Sequence, residues 1–432
     1  VFARARSLLA ARGLSRRRLG YGITAELVRI VPSFVTFLVL PRVLGPARYG
    51  QLAALIAVIA LVGALANVGA HIMFIRDVTR HGTADASAAG RALTTSVLGG
   101  TVAVACMVPI ALLIFDHIGL VAIATLFFAE LIFGNLLNVF SGLAIAREDQ
   151  RALAGFVGIY GAARIVAMVL YAASPARGSM TGFAVFCFAG VFVGTFVSAR
   201  YASARGLWHG PVFVVPTRRH VTEGMAVSST AAVFYVQDGL DTPILVRSGY
   251  QVDAGNYATA YRVASLAFAP INALVLIGLP QLVTRSGRDE NATRQTVVRL
   301  TFIGVAYGLA VCVMMQAVAP LIPVLLGHGY AAAVDILRWL SLLPLIRALQ
   351  YFVANLMMVN GLQRSRLVVQ FLSASVSLIA YLALIPPFSW RGAVAGTYMS
   401  EVTLAAGLWL VFLRSAGSLR GERKHMADAL AA

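Results

Sequence analysis

Ionisable side chains recur at helical spacing inside apolar stretches of this chain. Glu26, Arg29, Ser33 and Thr36 fall at i, i+3, i+7 and i+10, which is one stripe of a helix. Arg262, Ser265, Ala269 and Asn272 repeat that spacing. A third stretch carries Gln237, Asp238 and Asp241, with the two acids three apart on one face, and Glu223 lies further up the same side. Others carry Glu130, Asn135, Asn138 and Ser141; Tyr160 and Arg164; Arg347 and Gln350; and Glu401. A charge in lipid is costly, so such groups face a cavity or a partner. One reading is a hydrated, mixed-charge cleft whose arginines hold an anionic group, because guanidinium matches phosphate bidentately. The other is mutual pairing, Glu26 with Arg29 along one helix or Asp241 with Arg262 between two. Whole polar stripes favour the cleft. Arg338, Glu223 and Glu401 sit near expected helix ends, within reach of the interface.

The elements that must position these groups are membrane spans. The 432 residues are 59% hydrophobic and 12% charged, and the mean hydropathy is +0.82. A bilayer core of about 30 Å takes about 20 apolar residues per helix. Twelve such stretches are expected, at 22–40, 50–74, 92–115, 119–145, 153–173, 181–202, 222–246, 255–283, 298–317, 333–359, 367–386 and 392–413. Most of the 35 Lys+Arg gather at the termini and in alternate gaps, which places both ends in the cytoplasm. The fold class is therefore an all-α polytopic membrane protein with twelve transmembrane helices in two six-helix bundles. The expected domains are a basic N-terminus 1–21, a bundle 22–202, a basic connector 203–221, a second bundle 222–413 and a tail 414–432. Val1 to Gly20 holds six arginines without a long apolar core and reads as a cytoplasmic leader rather than a cleaved signal peptide.

Composition also excludes several classes. The net charge of +18 follows from the positive-inside bias beside anionic lipids, so no nucleic-acid partner is expected. Cys106, Cys187 and Cys312 are scattered in apolar stretches and form neither a disulfide framework nor a metal-ligand set. Lys424 is the sole lysine and lies in the tail, so a P-loop is impossible. No HExxH or GxSxG occurs, and no large loop clusters Asp, His and Arg. Catalysis thus has little support, no cofactor is expected, and transport is the default. Pro32, Pro109, Pro270 and Pro344 are expected to bend their helices. Gly190 with Gly194, and Gly392 with Gly396, are expected to mark close helix packing.

The two halves resemble each other. Pro41 to Gly50 and Ser248 to Tyr257 are each a Gly-containing turn that delivers a tyrosine to the next helix. The stretches from Asn135 to Arg147 and from Asn355 to Arg364 both run an Asn-rich end into a basic loop. Six helices per half preserve orientation, giving a parallel repeat with the site between halves.

Asp241-Thr-Pro-Ile-Leu245 followed by Gly255-Asn-Tyr257-Ala-Thr-Ala260-Tyr261-Arg262 resembles the seventh- and eighth-helix signature of the polysaccharide flippases called Wzx. These belong to the multidrug/oligosaccharidyl-lipid/polysaccharide (MOP) exporter superfamily. Leu40-Pro41-Arg-Val-Leu44-Gly45 with Tyr49-Gly50-Gln-Leu, and Leu325-Leu-Gly-His-Gly-Tyr330, are similar to two further segments of that family. The resemblance covers essentially the whole chain. It implies a V-shaped cleft between the bundles and a cargo of oligosaccharide on undecaprenyl pyrophosphate, turned across the bacterial inner membrane by alternating access. Arg29 and Arg262 would hold the pyrophosphate, with Arg164 and Arg347 behind them. Asn138, Tyr160, Gln237 and Asn272 would meet sugar hydroxyls. Glu26, Glu130, Asp238 and Asp241 would organise the arginines or carry a coupling H+ or Na+. Asp238 lies outside the matching motif, and its role rests on position alone. Expected partners are the lipid-linked oligosaccharide, membrane lipids and the polysaccharide polymerase and export machinery. Twelve helices rather than fourteen argue against a peptidoglycan-precursor flippase. The alternatives are a MATE-like ion-coupled drug exporter, which would favour an acidic or aromatic cavity, and more remotely a membrane glycosyltransferase or polymerase.

Overall fold

The computed structural model describes residues 16–81, 86–115, 117–208, 213–268, 290–359 and 362–431. Every described element is a helix, and eight are long and apolar enough to cross a bilayer. Large apolar side chains cover the outside, among them Leu113, Phe302 and Val313, each more than 70% exposed. A soluble protein would bury them, whereas lipid solvates them.

The chain divides into two compact units, 1–232 and 233–432. The first holds α1 (Arg16–Ala66), α2 (Ala70–His81), α3 (Ala86–Ile114), α4 (Leu120–Ala146), α5 (Gln150–Ala173) and α6 (Met180–Ala204). The division falls inside α7 (Arg218–Gly239). The second unit continues with α8 (Asp241–Arg247), α9 (Gln251–Ala267), α10 (Glu290–Val318), α11 (Leu321–Leu326), α12 (Ala332–Leu340), α13 (Leu343–Val359), α14 (Gln363–Phe388) and α15 (Trp390–Ala431).

Three of the expected spans are broken. The second, 50–74, is interrupted after Ala66, where Val68 and Gly69 take φ of 47° and 62°. Gly99 and Gly224 flank this break so closely that a Cβ on either would lie 2.0 Å from a carbonyl oxygen, of Ala66 and Val68 respectively. Only glycine admits backbones at that distance, where Cα–H groups face carbonyls that the break deprives of helical partners. The seventh span, 222–246, parts at Leu240 because Pro243 has no N–H to continue the ladder. The tenth, 333–359, separates into α12 and α13, so Pro344 stands in the first turn of a helix and opens it. The expectation that Pro344 bends a helix is therefore corrected: a first-turn nitrogen has no intrahelical acceptor to lose. The two similar turns are both built on glycine at positive φ, Gly45 at 73° and Gly249 at 88°, with Tyr49 and Tyr257 buried beyond them.

Glycine also sets the helix packing. A Cβ at Gly190 would lie 2.7 Å from Ala167 Cβ and one at Gly194 3.3 Å from Tyr160 Cα, which brings α6 onto α5. Gly392 faces the carbonyl of Leu384, and Gly396 the ring of Tyr381, which brings α15 onto α14. Both pairs thus serve packing within the chain. A core of Phe74, Phe140, Phe156 and Leu143 closes the first unit, with Tyr201 and Trp208 packed against it. In the second, Phe352, Leu356, Leu408 and Phe412 do so, and Trp409 Nε1 donates to the Leu349 carbonyl at 2.8 Å.

Candidate functional site

Among the described residues, each unit brings charged side chains together inside its apolar helices. In the first, Glu130 stands on a π-helical turn of α4, Ala129–Gly134. Such a turn widens the helix by one residue and is frequent at functional positions. It is stapled in place by Thr195 of α6, whose hydroxyl donates to the Phe133 carbonyl at 3.1 Å, and by Asn135, whose amide donates to the Leu131 carbonyl at 2.9 Å. Arg164 of α5 meets Glu130 at 2.8 Å and donates to the hydroxyl of Tyr160, one turn earlier, at 3.4 Å. The guanidinium also lies 5.5 Å from that ring's centroid, a cation–π distance. Side-chain exposure is 36% for Arg164 and 23% for Glu130. Asn138 is exposed about one helical turn beyond the π turn.

The second centre is larger and deeper. Arg347 of α13 approaches two carboxylates, Asp238 of α7 and Glu401 of α15; its Nη2 lies 2.7 Å from Glu401 Oε1 and its Nε donates to the same atom at 2.8 Å. Nη2 also donates to the Tyr261 hydroxyl at 2.8 Å, and Tyr261 in turn donates to Asp238. Gln350, one turn after Arg347, donates to the other oxygen of Glu401. Side-chain exposures are 14% for Arg347, 21% for Asp238 and 5% for Glu401. Beside this triad, buried Asp241 heads α8. It accepts from its neighbour Thr242 through N (2.6 Å) and Oγ1 (3.1 Å), and from the Tyr257 hydroxyl at 2.7 Å. Tyr257 and Tyr381 both reach Thr397 Oγ1, at 3.0 and 3.1 Å, and Tyr381 donates to the Gln237 carbonyl at 3.3 Å. Buried Gln237 leaves its own Oε1 without a partner among the described residues.

Arg164 and Arg347 thus each face carboxylates. Asp241 is held by Tyr257 and Thr242; the alternative of an Asp241–Arg262 pair is not what the structure forms. Arg262, next to Tyr261 on α9, is half-buried and makes no hydrogen bond or ion pair among the described residues. Glu26 and Arg29 lie on the described backbone of α1, but their side chains lie outside the description, as does Asn272 altogether. Glu401 requires a correction. It is not near a helix end; it sits eleven residues into α15, 3% exposed, and is an anchor of the second centre. Tyr257, Tyr261, Tyr381 and Thr397 were not legible as centre residues. Their signal was only that tyrosine hydroxyls buried in apolar segments need partners.

No family model matches the sequence, and no curated protein does. Solved structures do match its fold. An inward-facing multidrug-resistance MATE family transporter of the MOP superfamily superposes with a TM-score of 0.73 at 14% identity, covering 91% of this chain and 98% of that one. A MATE protein in a straight conformation gives 0.63 at 15% identity, covering 91% and 94%. A MOP superfamily transporter from Pyrococcus furiosus, described as having a binding pocket of reversed polarity, gives 0.62 at 14%, covering 90% and 93%. The chain is an all-helical, multi-pass membrane protein with the fold of MATE transporters of the MOP superfamily.

Proposed function

We propose that this chain is an ion-coupled membrane exporter that works by alternating access. Its MATE-like fold supports the transport part of this reading. The observation that carries the coupling part is the carboxylate surplus of the second centre. Asp238 and Glu401 share Arg347, and the third acid, buried Asp241, takes hydrogen bonds only from the neutral donors Thr242 and Tyr257 among the described residues. Surplus negative charge inside a membrane protein is what an incoming proton or Na+ neutralises. Adding a proton to Asp238 or Glu401 removes one ionic anchor of Arg347 and frees α7, α13 and α15 to repack. A transmembrane potential supplies about 2.3 kcal/mol per charge per 100 mV. That is comparable to one charge-assisted hydrogen bond, about 1.5–3 kcal/mol, so a single ion suffices to switch the anchor.

The test is uptake into proteoliposomes under an imposed pH or Na+ gradient. Wild type is expected to move an amphiphilic cation against its gradient only while the ion gradient persists. Asp238→Asn is expected to stay folded and to lose that dependence. Gradient-independent movement by wild type sinks the coupling.

A second cargo is favoured by Arg262, a half-buried guanidinium without a described partner, on the segment that resembles Wzx flippases. In that reading the cargo is a lipid-linked oligosaccharide whose pyrophosphate meets Arg262 and Arg29 in the bacterial inner membrane. A deletion strain separates the two cargoes. Loss of surface polysaccharide supports the flippase, and drug sensitivity with normal polysaccharide supports the drug exporter.

A further inference from the structure

Beyond both readings, we propose that the first unit carries a separate binding site for a phosphate group, borne by an anionic lipid, in a pocket enclosed by α2, α3 and the first turn of α7. The pocket is open at its mouth, and its lining includes Val68, Met73, Phe74, Asp77, Arg91 and His220. Arg91 is the decisive residue. Its guanidinium makes no hydrogen bond or ion pair among the described residues, and its Nε is shut off from solvent with no acceptor.

The neighbouring acids are already engaged. Asp77 meets His220 Nε2 at 2.9 Å and Arg76 at 3.6 Å. Glu223 takes Arg76 at 2.6 Å and Arg219 at 2.8 Å. Among the described residues, three arginines therefore accompany two carboxylates, and the arginine left without a carboxylate is the one that lines the pocket. A buried guanidinium nitrogen without an acceptor is costly, and the fork geometry of arginine suits two phosphate oxygens. Arg76 carries a second buried, unpaired Nε on the adjoining helix face.

The apolar wall decides what bears the phosphate. Val68, Met73 and Phe74 offer a free ion's oxygens no side-chain donors, whereas they suit the glycerol and first methylenes of a lipid. Basic pockets between helix ends attract anionic headgroups for this reason. An occupant would bridge α2 and α3 beside the joint that the Arg76–Glu223 and His220–Asp77 pairs make between α2 and α7, and so brace the strained break at Val68 and Gly69.

The purified full chain in neutral detergent tests this by thermal unfolding with added phosphatidylglycerol, phosphatidylcholine or inorganic phosphate. Phosphatidylglycerol is expected to raise the Tm of wild type and of Arg177→Gln, an exposed arginine outside the pocket; phosphatidylcholine is not. Arg91→Gln is expected to lose the shift. By native mass spectrometry Arg91→Lys, which keeps the charge without the fork, is expected to bind phosphatidylglycerol about tenfold more weakly; this variant serves should Arg91→Gln not fold. An equal shift from inorganic phosphate at the same concentration would keep the phosphate site and remove the lipid from it. An Arg91→Gln protein that still responds, or a wild type indifferent to headgroup charge, overturns the site.

Discussion

The charged centres of the two units use the same side chains in different proportions. Both set an arginine against an acid with a tyrosine ring close by, Arg164 with Glu130 and Tyr160, Arg347 with Asp238 and Tyr261. In the first unit the charges balance, one against one, and both groups are partly exposed. In the second, two carboxylates share one guanidinium and a third, Asp241, is bonded only by neutral donors among the described residues; Glu401 and Asp241 are each only 3% exposed. A balanced, accessible pair is a positioning device whose loss is tolerated. An unbalanced, enclosed cluster stores charge that must be compensated whenever the protein is at rest, which suits it to answering an ion.

The sharpest way to break this comparison is Arg347→Ala. It strands Asp238 and Glu401 without their cation, and unfolding in detergent is expected to be easier by about 3–5 kcal/mol. Adding Asp238→Asn and Glu401→Gln to the same protein is expected to recover much of that loss. If Arg347→Ala alone is neutral, the second centre is not a charge cluster of the kind described.

A smaller effect is expected from Gly396→Ala. Its Cβ would lie 2.5 Å from the Tyr381 ring, displacing the tyrosine that reaches Thr397, at a cost of about 1–3 kcal/mol. Circular dichroism melts of the variant beside Gly134→Ala sharpen the contrast. At Gly134 the nearest atom is the carboxylate end of Glu130 at 3.1 Å, and a change within about 1 kcal/mol is expected.

Thr195→Val removes the hydroxyl that staples the π turn, leaving the Phe133 carbonyl unmatched, for a loss of about 1 kcal/mol. Hydrogen exchange confined to α4 is the readout; unchanged exchange there means that the turn holds without the staple. Arg164→Ala is expected to cost less than Arg347→Ala, because it strands one carboxylate rather than two. A destabilisation in chemical melts as large as that of Arg347→Ala would erase the distinction between the two centres.

The fold was largely written in hydropathy. Apolar stretches and the glycine turns at Gly45 and Gly249 announced where helices start and restart, and the two Gly-x-x-x-Gly pairs announced close packing. These features are local: lipid demands a helix of a given length, and a positive φ demands glycine. The break at Asn67 to Gly69 was less legible, since its cause is the approach of Gly99 and Gly224 from elsewhere in the chain. Around the centres, Asp238, Asp241, Glu130, Arg164 and Arg347 stood out as charges in apolar surroundings, but Glu401 read as an end residue although it lies well inside α15; its partners Arg347 and Gln350 come from another helix.

What the amino-acid order determined by itself, then, is which segments enter the membrane and which charges they carry with them. Who meets whom was decided by tertiary structure. Arg347 reaches Glu401 across 54 residues and Asp238 across 109, and those meetings depend on how each helix is rotated and slid against its neighbours. Side-chain spacing fixes a stripe on one helix, but only packing turns that stripe toward another.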